Sequence, residues 1–224
     1  MGNFCISVIY LILTFLLTLL CFKRYGKYGI YIWMCVSVLI CNIQTIKISE
    51  IFGMTISLGN ISYGAIFLST DILSEKYGRD STKTAINLSF FTMIIFTILM
   101  QIFLQYQPNS VDVSQKSLET IFNYMPRITI GSLTAYYCSQ MCDAKVYSFL
   151  KKKYNKVWIS NNGSTFISQI LDTLIFVTIS FFGTMSNRDL FFLILTMICC
   201  KFIIAILDTP FMLLVTKMKN KELD

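Results

Sequence analysis

The sequence predicts an all-α membrane protein, a polytopic bundle of six to seven transmembrane helices with seven preferred. Of its 224 residues, 55% are hydrophobic and only 14% are charged, whereas about a quarter of the residues in soluble domains are charged. Uncharged apolar runs of about 20 residues recur along the chain, and this is the length that a helix needs to cross a bilayer. We expect residues 1–224 to form a single integral membrane domain.

Seven apolar segments follow one another along the chain. The first has no small-residue cleavage site after it and is expected to remain as a helix. Gly59 and Gly64 are expected to interrupt the third, and the only long loop, 106–127, follows the fourth. The seventh is long enough to be tilted or broken, and Pro210 is expected to kink it. The predicted segments are 4–22, 29–48, 56–74, 84–105, 128–150, 164–185 and 189–216.

The basic residues predict an orientation. Most of the 19 lysines and arginines lie in the first, third and fifth loops and in the carboxyl-terminal tail. The positive-inside rule places these regions in the cytoplasm and the amino terminus outside, which agrees with seven crossings. Basic clusters beside membrane helices are expected to contact the lipid bilayer rather than nucleic acid. The clusters are Lys23, Arg24 and Lys27; Lys76, Arg79 and Lys83; Lys145, Lys151, Lys152, Lys153 and Lys156; and Lys217, Lys219 and Lys221.

Composition also excludes several kinds of site. Histidine is absent, which removes histidine-based zinc sites and catalytic triads. The chain has no Gly-x4-Gly-Lys-Ser/Thr loop and so no phosphate loop of its own. The eight cysteines form no CxxC pair, and most are expected to act as small hydrophobic side chains. We therefore expect no metal, no cofactor and no enzyme activity.

Four aspartates stand inside or at the edge of apolar runs. An ionisable group in the hydrocarbon region costs at least a few kcal/mol, so each is a candidate functional residue. Two share a pattern, because Ser-Gln-Met-Cys-Asp at 139–143 recurs as Ser-Gln-Ile-Leu-Asp at 168–172. The repeat is either a structural one or a chance identity. The aspartates are Asp71, Asp143, Asp172 and Asp208.

The sixth apolar segment begins with an unusually polar stretch. Spacing at a helical period places Asn162, Thr165, Gln169, Asp172 and Thr173 on one face. Ser164 or Asn162 is expected to cap the start of the helix. The polar stripe is expected to face a ligand, although polar residues also join helices to one another inside bundles.

The residue types indicate a class of ligand without identifying it. Carboxylates accept hydrogen bonds, whereas Asn and Gln offer both donors and acceptors in one plane. This set suits the edge of a flat, neutral heterocycle with N–H groups and a ring carbonyl. A sugar or a simple cation would use the same groups, so these alternatives stay open.

Two motifs resemble those of the queuosine-precursor transporter family, which is similar to the vitamin-uptake transporters. Asp71-Ile-Leu-Ser-Glu75-Lys-Tyr-Gly-Arg79 resembles its signature of Asp, two hydrophobic residues, any residue, Glu, any residue, Tyr, Gly and Arg or Lys. Asn-Asn-Gly-Ser-Thr at 161–165, followed by Ser-Gln at 168–169 and Asp-Thr at 172–173, resembles its second signature. Later helices are also similar, and the resemblance runs from about Leu58 to Lys217.

The resemblance implies a multi-pass secondary transporter of the bacterial inner membrane. Its substrate would be a queuosine precursor, either a 7-deazaguanine base or queuine, salvaged for tRNA modification and bound in a polar cavity of the helix bundle. The substrate-binding residues implied are Asp71, Glu75, Gln140, Asp143, Asn161, Asn162, Gln169, Asp172 and Asp208.

Two other classes of protein compete with this interpretation. One is a substrate-binding subunit of a multi-subunit, ATP-driven vitamin or nucleobase uptake system; the absence of Ala and Gly from residues 4–22 disfavours it, because such subunits dock through small residues. The other is an intramembrane enzyme, which the lack of histidine disfavours. The preferred precursor, proton coupling and a possible homo-oligomer stay open at this stage.

Overall fold

The structure is a computed structural model that describes residues 2–51, 53–154 and 157–218. The side chains at 151, 157, 158 and 160–162 lie outside the described part. The chain divides into two compact units, Met1–Met125 with Cys199–Asp224, and Pro126–Ile198. The elements in chain order are α1 (Gly2–Thr45), β1 (Ile48–Ile51), β2 (Met54–Ser57), α2 (Gly59–Tyr77), α3 (Arg79–Phe103), α4 (Gln115–Phe122), α5 (Met125–Tyr154), α6 (Val157–Phe181) and α7 (Asn187–Lys217).

Helix α1 contains the first two predicted segments. Gly26 interrupts it with φ 57° and ψ −134°, a left-handed backbone conformation that glycine adopts at no steric cost. The indole Nε1 of Trp33 donates to Thr18 Oγ1 at 2.8 Å. This hydrogen bond joins the two parts of α1 on either side of Gly26. The other five predicted segments correspond to α2, α3, α5, α6 and α7. The prediction of a mostly helical chain is therefore confirmed.

The prediction that glycines interrupt the third segment is wrong. Helix α2 begins at Gly59 and is continuous through Gly64. A Cβ atom at Gly59 would lie 2.1 Å from Thr45 Oγ1 and 2.7 Å from the carbonyl oxygen of Cys41. Glycine is present because α1 and α2 approach each other too closely for a side chain. Pro210 lies inside α7, which continues as a helix on both sides of it, and the kink expected there stays a prediction.

Three short elements were not predicted. Strands β1 and β2 form an antiparallel hairpin in which Ile48 faces Ser57 and Ile51 faces Met54. Asn3 Nδ2 donates to Ser49 Oγ at 3.2 Å and to the Glu50 carbonyl at 3.1 Å, so the start of α1 is fastened to this hairpin. Helix α4 lies within the predicted long loop. The second predicted segment therefore ended too late, since α1 ends at Thr45, and the third began too early, since α2 begins at Gly59.

The second unit contains most of α5, all of α6 and the first part of α7. Val177, Phe181, Leu193 and Met197 form a buried apolar cluster between α6 and α7. The Arg127 guanidinium on α5 donates to backbone carbonyls of Ile179 and Phe182 at the end of α6. These carbonyls lack partners within their own helix, so Arg127 caps α6 and fixes it against α5.

Among the residues that the structure describes, four helical segments are long and apolar enough to cross a membrane: α1, α3, α7 and the Gly163–Phe181 part of α6. Helix α2 is not among these segments. More than half of its residues are buried against the protein, so it exposes little surface that would have to be apolar. Helix α5 carries Arg127, Gln140, Asp143 and Lys145 along its length. The number of crossings and the orientation of the termini stay predictions.

Candidate functional site

Two serine–aspartate contacts join α5 and α6 in the second unit. Ser139 Oγ on α5 lies 3.4 Å from Asp172 Oδ1 on α6. In return, Ser168 Oγ on α6 lies 3.4 Å from Asp143 Oδ1 on α5. The repeated Ser-Gln-x-x-Asp motif thus forms a reciprocal contact, in which the serine of each copy reaches the aspartate of the other. We call these four residues the serine–aspartate exchange.

Each serine hydroxyl in this exchange has a second acceptor. Ser139 Oγ lies 3.0 Å from the Tyr136 carbonyl, and Ser168 Oγ lies 3.0 Å from the Thr165 carbonyl. Because a hydroxyl carries one hydrogen, each serine shares it between its own helix backbone and the opposite carboxylate. A carboxylate has about four lone-pair sites, so the serine can occupy only one of them on Asp143 and on Asp172.

Gln169 adds an unfilled acceptor beside the exchange. It follows Ser168 directly and lies one turn before Asp172 on the same helix. Its Oε1 atom is buried and has no hydrogen-bond partner among the residues that the structure describes. A buried acceptor without a donor costs about 1–3 kcal/mol, so this oxygen is suited to an incoming N–H group. The second unit thus presents two carboxylates and an amide oxygen, all of which accept hydrogen bonds.

The first unit holds a second pair of acids. Asp208 on α7 is 5% exposed, and its carboxyl group is close enough to Asp71 on α2 for their charges to repel each other. Asp71 and Glu75 are both exposed and lie one turn apart on α2. Between them, Ile72 and Leu73 are fully buried. The first half of this signature motif therefore anchors α2 with its apolar residues and exposes its acids.

The second half of the same motif builds the junction between α2 and α3. The Tyr77 ring meets Phe22 edge-on, with 6.5 Å between the ring centroids. Gly78 has φ 81°, which lets the chain turn between the two helices. Lys76 Nζ donates to the Thr216 carbonyl of α7 at 3.1 Å. These residues position the acidic half of the motif and do not themselves form a ligand-binding group.

The structure brings together only part of the predicted set of binding residues. Asp143, Gln169 and Asp172 lie close to one another in the second unit, while Gln140 is exposed on α5. Asp71 and Asp208 are near each other in the first unit, with Glu75 one turn from Asp71. The side chains of two predicted residues lie outside the described part of the chain; these are Asn161 and Asn162.

The predicted cap at the start of the sixth helix is wrong. Helix α6 begins at Val157, so Asn162 and Ser164 lie within it and cannot cap its first turn. The helix continues through Gly163, where an added Cβ atom would lie 2.7 Å from Leu150 Cδ1, the flexible end of an α5 side chain. Gly163 therefore does not make a turn. The polar stripe therefore lacks the free backbone N–H groups of a helix start.

Sequence reasoning missed a polar network in the first unit. The Tyr10 hydroxyl lies 3.0 Å from Ser62 Oγ and accepts a hydrogen bond from Gln44 Nε2 at 3.0 Å. Ser62 Oγ also donates to Gln44 Oε1. A tyrosine and a glutamine in apolar runs were the available signals. Nearby along α2, the Tyr63 ring lies 5.6 Å below the ammonium group of Lys201, whose side chain is buried.

The second unit also has an open depression of about 410 Å³ on α5. Among the described residues, its lining consists of α5 side chains and includes none of the predicted binding residues. It starts at Ala144, next to Asp143, and extends to Lys152. We assign no ligand to it.

Comparison with known proteins places these residues in a family context. The family described as "Putative vitamin uptake transporter" matches residues 57–215. A "Probable queuosine precursor transporter" of Bacillus subtilis (strain 168) is 36% identical over 221 residues, which cover 97% of this chain and 96% of that protein. A protein of the same description from Haemophilus influenzae is 24% identical over 131 residues, covering 58% of this chain and 54% of that protein. No solved structure matches the chain.

Proposed function

This chain belongs to the vitamin uptake transporter family, and we propose that it imports queuosine precursors, 7-deazaguanine bases or queuine, across the bacterial inner membrane. The observation that carries the proposal is the 36% identity, over nearly the whole of both chains, to a relative described as a queuosine precursor transporter. The chain is a multi-pass membrane protein, because it combines this family with four helical segments able to cross a membrane.

The second unit supplies the recognition chemistry in this proposal. A 7-deazaguanine base carries N–H groups at ring position 1 and on its exocyclic amine. Asp143 and Asp172 accept such donors through their carboxylates, and Gln169 Oε1 is a further acceptor with no donor of its own among the described residues. A base without the matching N–H groups leaves the buried Gln169 Oε1 without a donor, which costs about 1–3 kcal/mol.

The remaining candidate residues have separate places in the proposal. We assign Asp71, Glu75 and Asp208 to a second acidic group needed for transport, because their charge on α2 and α7 requires a functional reason in a membrane helix. By the resemblance of their motif we also retain three polar residues as substrate-binding candidates: Gln140, Asn161 and Asn162.

We propose a secondary transporter that alternates access around the polar residues. In this proposal the amino terminus is outside and the carboxyl terminus is cytoplasmic, following the distribution of basic loops. The comparisons give no support to the alternative of a binding subunit for an ATP-driven system, and neither relative's description mentions one.

The experiment that tests this function uses cells that cannot make queuosine precursors and lack their own importer. These cells express the wild-type chain or Asp172→Asn, receive each precursor at low concentration, and are assayed for queuosine in tRNA. The matched control is Asp80→Asn, because Asp80 is a fully exposed acid whose 3.8 Å contact with Lys83 is also exposed. Exposed pairs of this kind contribute little to stability.

We expect the wild type and Asp80→Asn to restore queuosine, and Asp172→Asn to fail at low precursor concentration. Rescue by all three proteins would keep the transport function and remove Asp172 from the substrate site. A wild-type chain that is present in the membrane but rescues with no precursor would refute the proposed substrate class.

A further inference from the structure

The serine–aspartate exchange has a property that helix packing alone does not require. Two copies of one motif run along opposing helices, and both serine-to-aspartate distances are 3.4 Å. Both serines are at least 94% buried: Ser139 is 6% exposed and Ser168 is 5% exposed. Each hydroxyl also lies 3.0 Å from a carbonyl of its own helix. The same arrangement of one donor between two acceptors thus occurs twice.

We propose that Ser139 and Ser168 are positioning residues, each orienting the carboxylate of the opposite helix so that the two carboxylates together accept the N–H groups of one aminopyrimidinone edge. This inference rests on the proposed function and specifies which part of the base the second unit selects. The serines need not touch the base. They act through Asp172 and Asp143, which do.

The shared hydrogen explains how the protein can exist with and without its ligand. In the empty protein each half-buried carboxylate has a hydroxyl donor within reach. When a ligand N–H approaches another lone pair of the carboxylate, the hydroxyl stays between that carboxylate and its own helix carbonyl, which is 3.0 Å away. No serine or backbone group loses all its partners on binding, and the usual cost of a buried unpaired group does not arise.

The chemistry of the acceptors determines which ligand edge is preferred. The carboxylates of Asp143 and Asp172 and the unpaired Gln169 Oε1 all accept hydrogen bonds from a ligand. The serine hydroxyls do not donate to the ligand, because their hydrogens lie between a helix carbonyl and a carboxylate. A 7-deazaguanine edge offers the ring N1–H and an exocyclic amine. 7-Deazahypoxanthine has the same shape, ring oxygen and N1–H but lacks the amine. The exchange therefore selects the base that carries the amine.

The test compares these two bases in intact cells that lack their own importer. Initial uptake of labelled 7-deazaguanine gives KM and Vmax, and competition by unlabelled 7-deazahypoxanthine gives its inhibition constant. The variants are Ser139→Ala, Ser168→Ala and Ser139→Thr, with Ser180→Ala as the matched control. Ser180 lies on the same helix as Ser168 and is 1% exposed, but its hydroxyl has no hydrogen-bond partner among the described residues. Uptake is normalised to the amount of protein in the membrane.

We expect each alanine variant at positions 139 and 168 to raise the KM for 7-deazaguanine by about three- to tenfold with Vmax unchanged, since one hydrogen bond to a charged group is weakened. The inhibition constant of 7-deazahypoxanthine is expected to change little, so the preference for the amine falls. Ser139→Thr restores the hydroxyl and should restore the preference, whereas Ser180→Ala keeps it. Ser139→Cys, a weaker donor, should fall between alanine and wild type, and it serves if an alanine variant does not accumulate.

Two results would overturn the proposal while leaving the transport function intact. One is saturable wild-type uptake of 7-deazaguanine with an unchanged preference in Ser139→Ala and Ser168→Ala. The other is an equal loss of preference in Ser180→Ala, which would show a general packing effect. Absence of saturable uptake of either base by the wild type would overturn the proposed function and this inference together.

Discussion

Substituting Gly59 with alanine tests the closest helix contact in the first unit. A Cβ atom at this position would lie 2.1 Å from Thr45 Oγ1, 2.7 Å from the Cys41 carbonyl oxygen and 2.9 Å from Thr45 Cα. Two of these obstacles are backbone atoms of α1, so rotation of a side chain cannot remove the clash. The helices must separate, and the hydrogen bond from Thr45 Oγ1 to the Cys41 carbonyl, now 2.8 Å, is disturbed as well.

The expected cost of Gly59→Ala follows from three opposing effects. Overpacking against backbone takes the upper end of its usual range, about 3 kcal/mol. Loss of the Thr45 hydrogen bond adds about 1 kcal/mol, and the better helix propensity of alanine returns about 1 kcal/mol. The net destabilisation is about 3 kcal/mol, which for a chain of this size corresponds to a fall in Tm of roughly 6–12 °C.

The assay is thermal unfolding of the purified protein in detergent, with Gly2→Ala as the control. A Cβ atom at Gly2 meets nothing within 4 Å, so this variant should melt at or slightly above the wild-type temperature. Adding Thr45→Ala to Gly59→Ala should recover only part of the loss, because the Cys41 carbonyl and Thr45 Cα still obstruct. A Gly59→Ala protein that melts as high as wild type would refute the close packing of α1 and α2.

Two further predictions concern the ends of helices. Replacing Arg127 by glutamine removes the guanidinium that donates to the Ile179 and Phe182 carbonyls, so thermal unfolding in detergent should show a loss of about 1–3 kcal/mol; an unchanged melting temperature would argue against this cap. Hydrogen bonds from the hydroxyl and then the backbone N–H of Ser114 lower the pKa of Asp112. The turn before α4 should therefore stay closed above the ordinary carboxyl pKa and open only as pH falls through the lowered pKa. Amide exchange at Ser114 measures this, and protection that is lost already at the ordinary pKa would contradict it.

The positions of the helices were predictable because the hydrophobic runs have the length of membrane helices. All seven predicted segments are largely helical, and the long helix α1 divides at Gly26 between the first two. The hairpin of β1 and β2 was not predictable, because its apolar residues at Ile48, Ile51 and Ile56 continue the hydrophobic runs on either side. Periodicity cannot separate a short strand from the end of a neighbouring apolar helix.

Glycine caused the main errors in reading the helices. Gly59 and Gly64 were interpreted as breaks, whereas both lie in α2, where an added Cβ atom would clash with a neighbouring helix. Gly26, Gly78 and Gly183 interrupt or follow helices as glycine is expected to, and all three have positive φ. A sequence does not show which backbone atoms will approach a glycine, so these two uses of the residue look alike.

The aspartates of the candidate site were predictable from the cost of burying charge, but their partners were not. The repeated motif singled out Asp143 and Asp172, and the structure relates them through Ser139 and Ser168. Which serine meets which aspartate depends on the antiparallel pairing of α5 and α6, a tertiary property. Gln169 was predicted as a polar residue on the ligand face, and its unfilled oxygen became visible only in the packed helix.

The most direct test of the proposed function is equilibrium binding of 7-deazaguanine to the purified protein and to its Asp172→Asn variant. The wild type is expected to bind saturably, and the variant to bind about tenfold or more weakly, because a hydrogen bond to a charged carboxylate is lost. Melting temperatures measured on the same samples establish that both proteins are folded. Equal affinity in the two folded proteins, or no saturable binding by the wild type, would contradict recognition of the base by the acidic residues of α5 and α6.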